Sequence, residues 1–179
     1  MKKVIIVPGN GDDGPDERWR PWLTTEFEKL SFSVVNVRFP DPMLARREYW
    51  LPYLAELGAD ESTILVGHSS GAVASMRYAE KQKIFGSVLV GACYTDLGIE
   101  TEKLSGYFSD PWDWKTIKNN QNWIIQFAST DDPFIPIEEM RFVRDMLATE
   151  YYEFTDRGHF NTEKEFTELL SALKQKLAK

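Results

Sequence analysis

The pentapeptide Gly67-His68-Ser69-Ser70-Gly71 follows an apolar run, Thr63-Ile-Leu-Val66, and leads into a stretch of helical period at 71–81. A strand that turns this sharply into a helix leaves space only for glycine two residues before and two residues after its apex. The turn implies a sheet of parallel strands, each returning through a crossover helix. Strand and helix should therefore alternate along the chain.

They do. Runs at 3–7, 33–39, 63–66, 87–90, 122–128 and 151–155 read as strands. The first, Lys-Val-Ile-Ile-Val, is almost entirely apolar, the mark of a strand covered on both faces. Helical stretches lie at 17–30 (regular from Pro21), 43–57 (interrupted at Pro52), 71–81 and 136–147, with a short helix near 100–106. In the final helix Phe166, Leu169, Leu170, Leu173 and Leu177 form one apolar stripe. Thr162 to Glu165 reads as its capping box, and Lys174, Lys176 and Lys179 suit its negative end. The expected architecture is α/β: a six-stranded parallel sheet, order 2-1-3-4-5-6, with helices on both faces. No linker, repeat or low-complexity segment interrupts residues 1–179, so a single domain is expected.

Composition narrows the chemistry. With 28 Asp and Glu against 21 Lys and Arg, the formal charge is −7, which argues against nucleic acid or an anionic membrane as partner. Cys93 is the single cysteine and there are two histidines. The nitrogen and sulfur ligands of a typical zinc site are missing, and neither a metal nor a cofactor is expected. The run Val4 to Val7 is too short for a signal-peptide core, and no run reaches the length of a membrane span. A cytoplasmic location is the default.

At the apex of the turn Ser69 is held in a strained backbone, its hydroxyl exposed at the positive end of the following helix. Ser70 lacks the glycine bracket. A serine nucleophile needs a base, and His68, adjacent on the turn, should point away from Oγ as a packed or solvent-facing residue. His159 follows the last strand, at the same carboxyl edge of the sheet as Ser69, and is the expected general base. Asp131 and Asp132 follow the fifth strand. The compact Asp-x-x-Ile-Pro turn favours Asp132 as the acid that fixes the imidazole tautomer, with Asp131 bracing the turn. The first strand ends in Pro8-Gly9-Asn10-Gly11, next to the third strand at the topological switch point. The backbone N–H groups of Asn10 and Ser70 are the expected oxyanion donors.

Four segments together carry a resemblance: Pro-Gly-Asn-Gly at 8–11, Gly-His-Ser-Ser-Gly-Ala at 67–72, Ser-Thr-Asp-Asp-Pro-Phe-Ile-Pro at 129–136 and Gly-His-Phe at 158–160. Arg77-Tyr-Ala-Glu80, Ser105-Gly-Tyr-Phe108 and Pro111-Trp112 extend it over nearly the whole chain. The sequence resembles the retinoblastoma-binding protein 9 family of small α/β-hydrolase serine hydrolases. The resemblance implies a minimal hydrolase fold without a large cap and a triad of Ser69, Asp132 and His159. It departs from the family at Leu57-Gly-Ala-Asp-Glu61, where Ala59 replaces the cysteine of the segment credited with binding the retinoblastoma protein. Binding of a pocket protein is therefore not expected.

Without a cap, substrate walls must come from loops. Aromatic side chains make up 13% of the chain, enough to supply them. Trp19, Tyr107, Phe108, Trp112 and Trp114 are the candidate pocket residues, for a small-molecule acyl substrate. Asp12, Asp13, Asp16 and Glu17 form an acidic loop suited either to solvent or to an amine-bearing substrate. The expected function is hydrolysis of a small ester, amide or thioester through an acyl-serine. The competing expectation is an interaction module on a hydrolase fold with vestigial activity. Haloalkane-type chemistry is disfavoured, since the turn carries serine and not aspartate.

Overall fold

The computed structural model describes residues 2–11 and 14–178. Asp12 and Asp13 of the acidic loop, and Lys179 of the final helix, lie outside the described residues. The strands are β1 (Lys3–Val7), β2 (Ser33–Val35), β3 (Thr63–His68), β4 (Gly86–Val90), β5 (Ile124–Ser129) and β6 (Glu150–Phe154). They form one sheet in the order β2-β1-β3-β4-β5-β6, and every neighbouring pair is parallel. The helices are α1 (Arg20–Lys29), α2 (Arg47–Glu56), α3 (Ser70–Ala79), α4 (Glu100–Ser105), α5 (Trp114–Asn119), α6 (Ile137–Leu147) and α7 (Thr167–Leu177). Among the described residues no helix is long and apolar enough to cross a membrane.

Successive strand side chains point to opposite faces, so each strand feeds two cores. Ile5, Val7, Leu65 and Leu89 pack with α2, α3, α5 and α6. Val4, Ile6, Ile64, Val66, Val88 and Val90 pack with α1 and α7. Strands β3, β4 and β5 are buried at every position, which is why they lack the polar alternation of a half-exposed strand. Burying each Val, Leu or Ile contributes about 1.5–3 kcal/mol, so this covered centre carries much of the stability.

Four elements differ from the sequence expectation. Helix α2 begins at Arg47, not Met43, and runs unbroken through Pro52. Strand β2 stops at Val35, not Phe39, where Asn36 turns its amide to the Pro15 carbonyl and the Thr24 hydroxyl. Helix α7 starts at Thr167 with Phe166 at its N-cap position and no side-chain cap hydrogen bond, so Thr162 and Glu165 form no capping box. Phe166 is fully buried, its ring 5.0 Å from Phe127 and 5.3 Å from Phe160. Its packing, not a polar cap, sets where the helix begins. Helix α5 was not foreseen, although Asp113 caps it by accepting hydrogen bonds from the Thr116 backbone N–H and hydroxyl.

Candidate active site

The carboxyl ends of β1, β3, β4, β5 and β6 lead into loops around a crevice of about 330 Å³ lined by Asn10, Ser69, Ser70, Glu102, Phe134 and His159, among others. Ser69 stands at its base with φ 55° and ψ −121°, a sparsely populated conformation that costs on the order of 1–3 kcal/mol. The surroundings hold it there. Its N–H donates to the Val90 carbonyl at 2.8 Å, while its own carbonyl starts α3 by accepting from Ala72 and Val73. A Cβ at Gly67 would lie 2.3 Å from the Gly71 carbonyl oxygen, and one at Gly71 would lie 2.2 Å from the Val7 oxygen. The first glycine thus lets the turn close on itself. The second lets it press against the end of β1, which brings Asn10 to the same crevice.

Asp132 and His159 meet across 27 positions of chain: His159 Nδ1–H donates to Asp132 Oδ2 at 2.7 Å. The carboxylate is fully buried and the imidazole nearly so. Asp132 Oδ1 accepts from the backbone N–H of Phe134 and of Ile135, at 2.9 and 3.0 Å. Those bonds fix the carboxylate plane. Because Nδ1 carries the proton in that bond, Nε2 of a neutral His159 ring is left as an acceptor. Asp131 makes different contacts. Its Oδ1 accepts from the Ser129 hydroxyl and from Gly158 N–H, which ties the β5 turn to the His159 loop, and the Ser129 contact is the main reason its carboxyl is held below the usual range.

His68 is buried, not solvent-facing. Its Nε2 lies 2.8 Å from the His159 carbonyl oxygen, and burial, followed by the proximity of His159, holds its pKa well below the ordinary histidine value. Gly91 closes the other side. At φ 60° it lies so near His159 that a Cβ there would be 3.2 Å from Cε1. Neither contact was foreseen. A glycine immediately after the β4 run was the available signal for the second.

The five candidate pocket aromatics do not line the crevice, which corrects the sequence expectation. Trp19 and Tyr107 are buried in the cores. Trp112 and Trp114 stack on each other, rings 5.1 Å apart, and Phe108 packs toward Trp112. The cause is Arg77, a buried cation on α3. It donates to the carbonyls of Tyr107, Asp110 and Pro111 and lies over the Trp112 ring at 3.6 Å. This draws the aromatic loop onto α3 and away from Ser69. Leu97, Ile99, Phe134 and Ile135 supply the apolar wall instead. Asp16 and Glu17 are exposed and outside the crevice lining. Glu102 of α4 does line it; burial raises its pKa, and Asn10 Nδ2 donates to its Oε1 at 2.8 Å. Among the described residues no three His, Cys, Asp or Glu side chains converge as a metal-holding group.

Comparison with known proteins agrees with this architecture. The chain is 48% identical over 178 residues to the serine hydrolase RBBP9 of Rattus norvegicus, covering 98% of this chain and 95% of that protein. The crystal structure of the ydeN gene product from B. subtilis superposes with a TM-score of 0.90 at 23% identity, over 100% of both chains. Est1E from Butyrivibrio proteoclasticus, solved with ferulic acid bound, gives a TM-score of 0.75 at 12% identity, over 100% of this chain and 90% of that one. These two likenesses establish the α/β-hydrolase fold. The serine hydrolase family model matches residues 4–177, and with that span and the 48% identity to RBBP9 the chain belongs to the serine hydrolase family, as a hydrolase of the RBBP9-like group.

Proposed function

We propose that the chain hydrolyses a small ester, amide or thioester by acylating Ser69, with His159 as the base and Asp132 as the acid that orients it. The observation that carries this reading is the buried His159–Asp132 hydrogen bond beside a serine held at positive φ in the same crevice. Ser69 Oγ attacks the acyl carbonyl carbon while His159 Nε2 takes its proton. The oxyanion so formed accepts hydrogen bonds from the backbone N–H groups of Asn10 and Ser70. Collapse breaks the bond to the leaving group, which departs with the proton from His159. Water then attacks the acyl-serine, giving one proton to His159, and that proton returns to Ser69 Oγ as the acid is released.

The acyl site is small and mainly aliphatic. Leu97, Ile99 and Ile135 with the exposed ring of Phe134 favour a short apolar or aryl acyl group. The crevice volume of about 330 Å³ is at the low end for small-molecule sites. We read the chain as one domain acting on small acyl substrates in the cytoplasm. Turnover of a series of p-nitrophenyl esters and aminoacyl amides tests the reading. Hydrolysis favouring short apolar acyl groups and lost in Ser69→Ala is expected, and hydrolysis equal in Ser69→Ala refutes it.

A further inference from the structure

The loop that carries the base is not a relaxed turn. Phe160, directly after His159, has φ 55°, and Gly158, directly before it, has φ 48°. A bulky aromatic residue at positive φ persists only where its surroundings over-determine it. Two buried ring N–H groups meet this segment at successive carbonyls. Trp19 Nε1–H donates to the Phe160 oxygen at 3.2 Å, and His68 bonds the His159 oxygen at 2.8 Å.

The tautomer of His68 follows from its partners. A carbonyl oxygen only accepts, so Nε2 carries the hydrogen. The other nitrogen, Nδ1, lies 3.5 Å from Nη1 of Arg18, a group that only donates. The ring is therefore neutral, with its single N–H spent on the His159 backbone. Its ring centroid lies 6.1 Å from that of Trp19, in an edge-to-face arrangement, and 4.8 Å from that of His159. A Cβ at Gly9 would come within 3.4 Å of its Nδ1, so the oxyanion loop closes over it as well.

We propose that His68 is a positioning residue for catalysis: its Nε2–H, fixed on the rigid turn beside Ser69, holds the His159 carbonyl and so keeps base and nucleophile in register. The two reacting side chains belong to different loops, one after β3 and one after β6. Among the described contacts His68 joins them through a direct hydrogen bond, from the residue preceding Ser69 to the backbone of His159. Asp132 orients the ring of His159; His68 sets where the ring is rooted. The inference rests on His159 being the base.

The test compares two amides at position 68. Gln places an Nε2 donor four bonds from Cα, as histidine does, whereas the Asn amide falls one bond short. Steady-state hydrolysis of p-nitrophenyl acetate is measured for His68→Gln, His68→Asn and His68→Leu, with Ser69→Ala and His159→Ala alongside. His68→Asn and His68→Leu should lose about 10–100-fold in kcat with KM nearly constant, the scale of a misplaced catalytic group. His68→Gln should recover most of that loss. The downfield Nδ1–H proton resonance of His159 should persist in the Gln variant and broaden in the Asn variant. If either Asn or Leu does not fold, the other against Gln gives the same comparison, and thermal melts identify which. Equal kcat across the three variants, or a loss in Gln as deep as in Asn, overturns the proposal. If turnover survives in Ser69→Ala and His159→Ala, the triad reading itself has failed, a separate result.

Discussion

Gly91 lies close against the ring of His159, the imidazole Cε1 being 3.2 Å from where a Cβ on Gly91 would stand. At φ 60° this position also disfavours any L side chain. Gly91→Ala should therefore push the ring out of line, and kcat should fall about 10–100-fold. Thermal melts should show a cost of about 1–3 kcal/mol from the strained backbone. Steady-state kinetics with a melt of the same variant checks both.

The adjacent carboxylates should separate cleanly. Asp132→Asn leaves an oxygen for the Phe134 and Ile135 N–H groups but removes the acceptor that sets the His159 tautomer, and kcat should fall by about 10⁴-fold, as in other triads. Asp131→Ala loses only its brace to Ser129 and Gly158, and should stay within about tenfold of wild-type kcat, well short of a triad loss. Parallel kcat measurements decide it; a reversed order assigns the acid to Asp131.

Glu102 makes a prediction in pH. Burial raises its pKa above the ordinary glutamate value, only partly offset by the hydrogen bond from Asn10. Between its unfolded and folded pKa values the folded state binds more proton, so its contribution to stability falls as pH rises through that interval. Glu102→Gln removes this dependence. The melting temperature of the variant relative to wild type should rise from acidic to neutral pH, measured by thermal melts across that range.

The substrate wall is tested by a pair of aromatic substitutions. Phe134→Ala strips the exposed rim of the crevice and should raise KM for an apolar p-nitrophenyl ester by about tenfold. Trp112→Phe alters a ring stacked on Trp114 and covered by Arg77. It should lower the melting temperature and leave KM where it was. Kinetics on the two variants with one ester is sufficient.

The fold was legible because its central strands are buried on both faces. An apolar run such as residues 3–7 has few alternatives, and the glycines at 67 and 71 admit only a turn of this tightness. The order 2-1-3-4-5-6 followed from topology, and the strand ends then bring residues 69, 132 and 159 to one edge. Periodicity says that a side chain is buried but not against what. Arg77 sits unremarkably in a helical stretch, yet it captures the 107–112 loop and draws its three aromatics away from the crevice. His68 and Gly91 were opaque for the same reason, since their partners are a carbonyl and a ring more than 60 positions away. The start of α7 escaped because the packing of Phe166 outweighed a polar capping pattern.

The central claim is that Ser69 is the nucleophile, and its most direct measurement is covalent. The folded protein is treated with a fluorophosphonate, digested, and its peptides weighed. One adduct is expected, on the peptide containing Ser69, absent in Ser69→Ala and strongly slowed in His159→Ala. An unlabelled wild-type protein, or an adduct that persists in Ser69→Ala, would contradict the account.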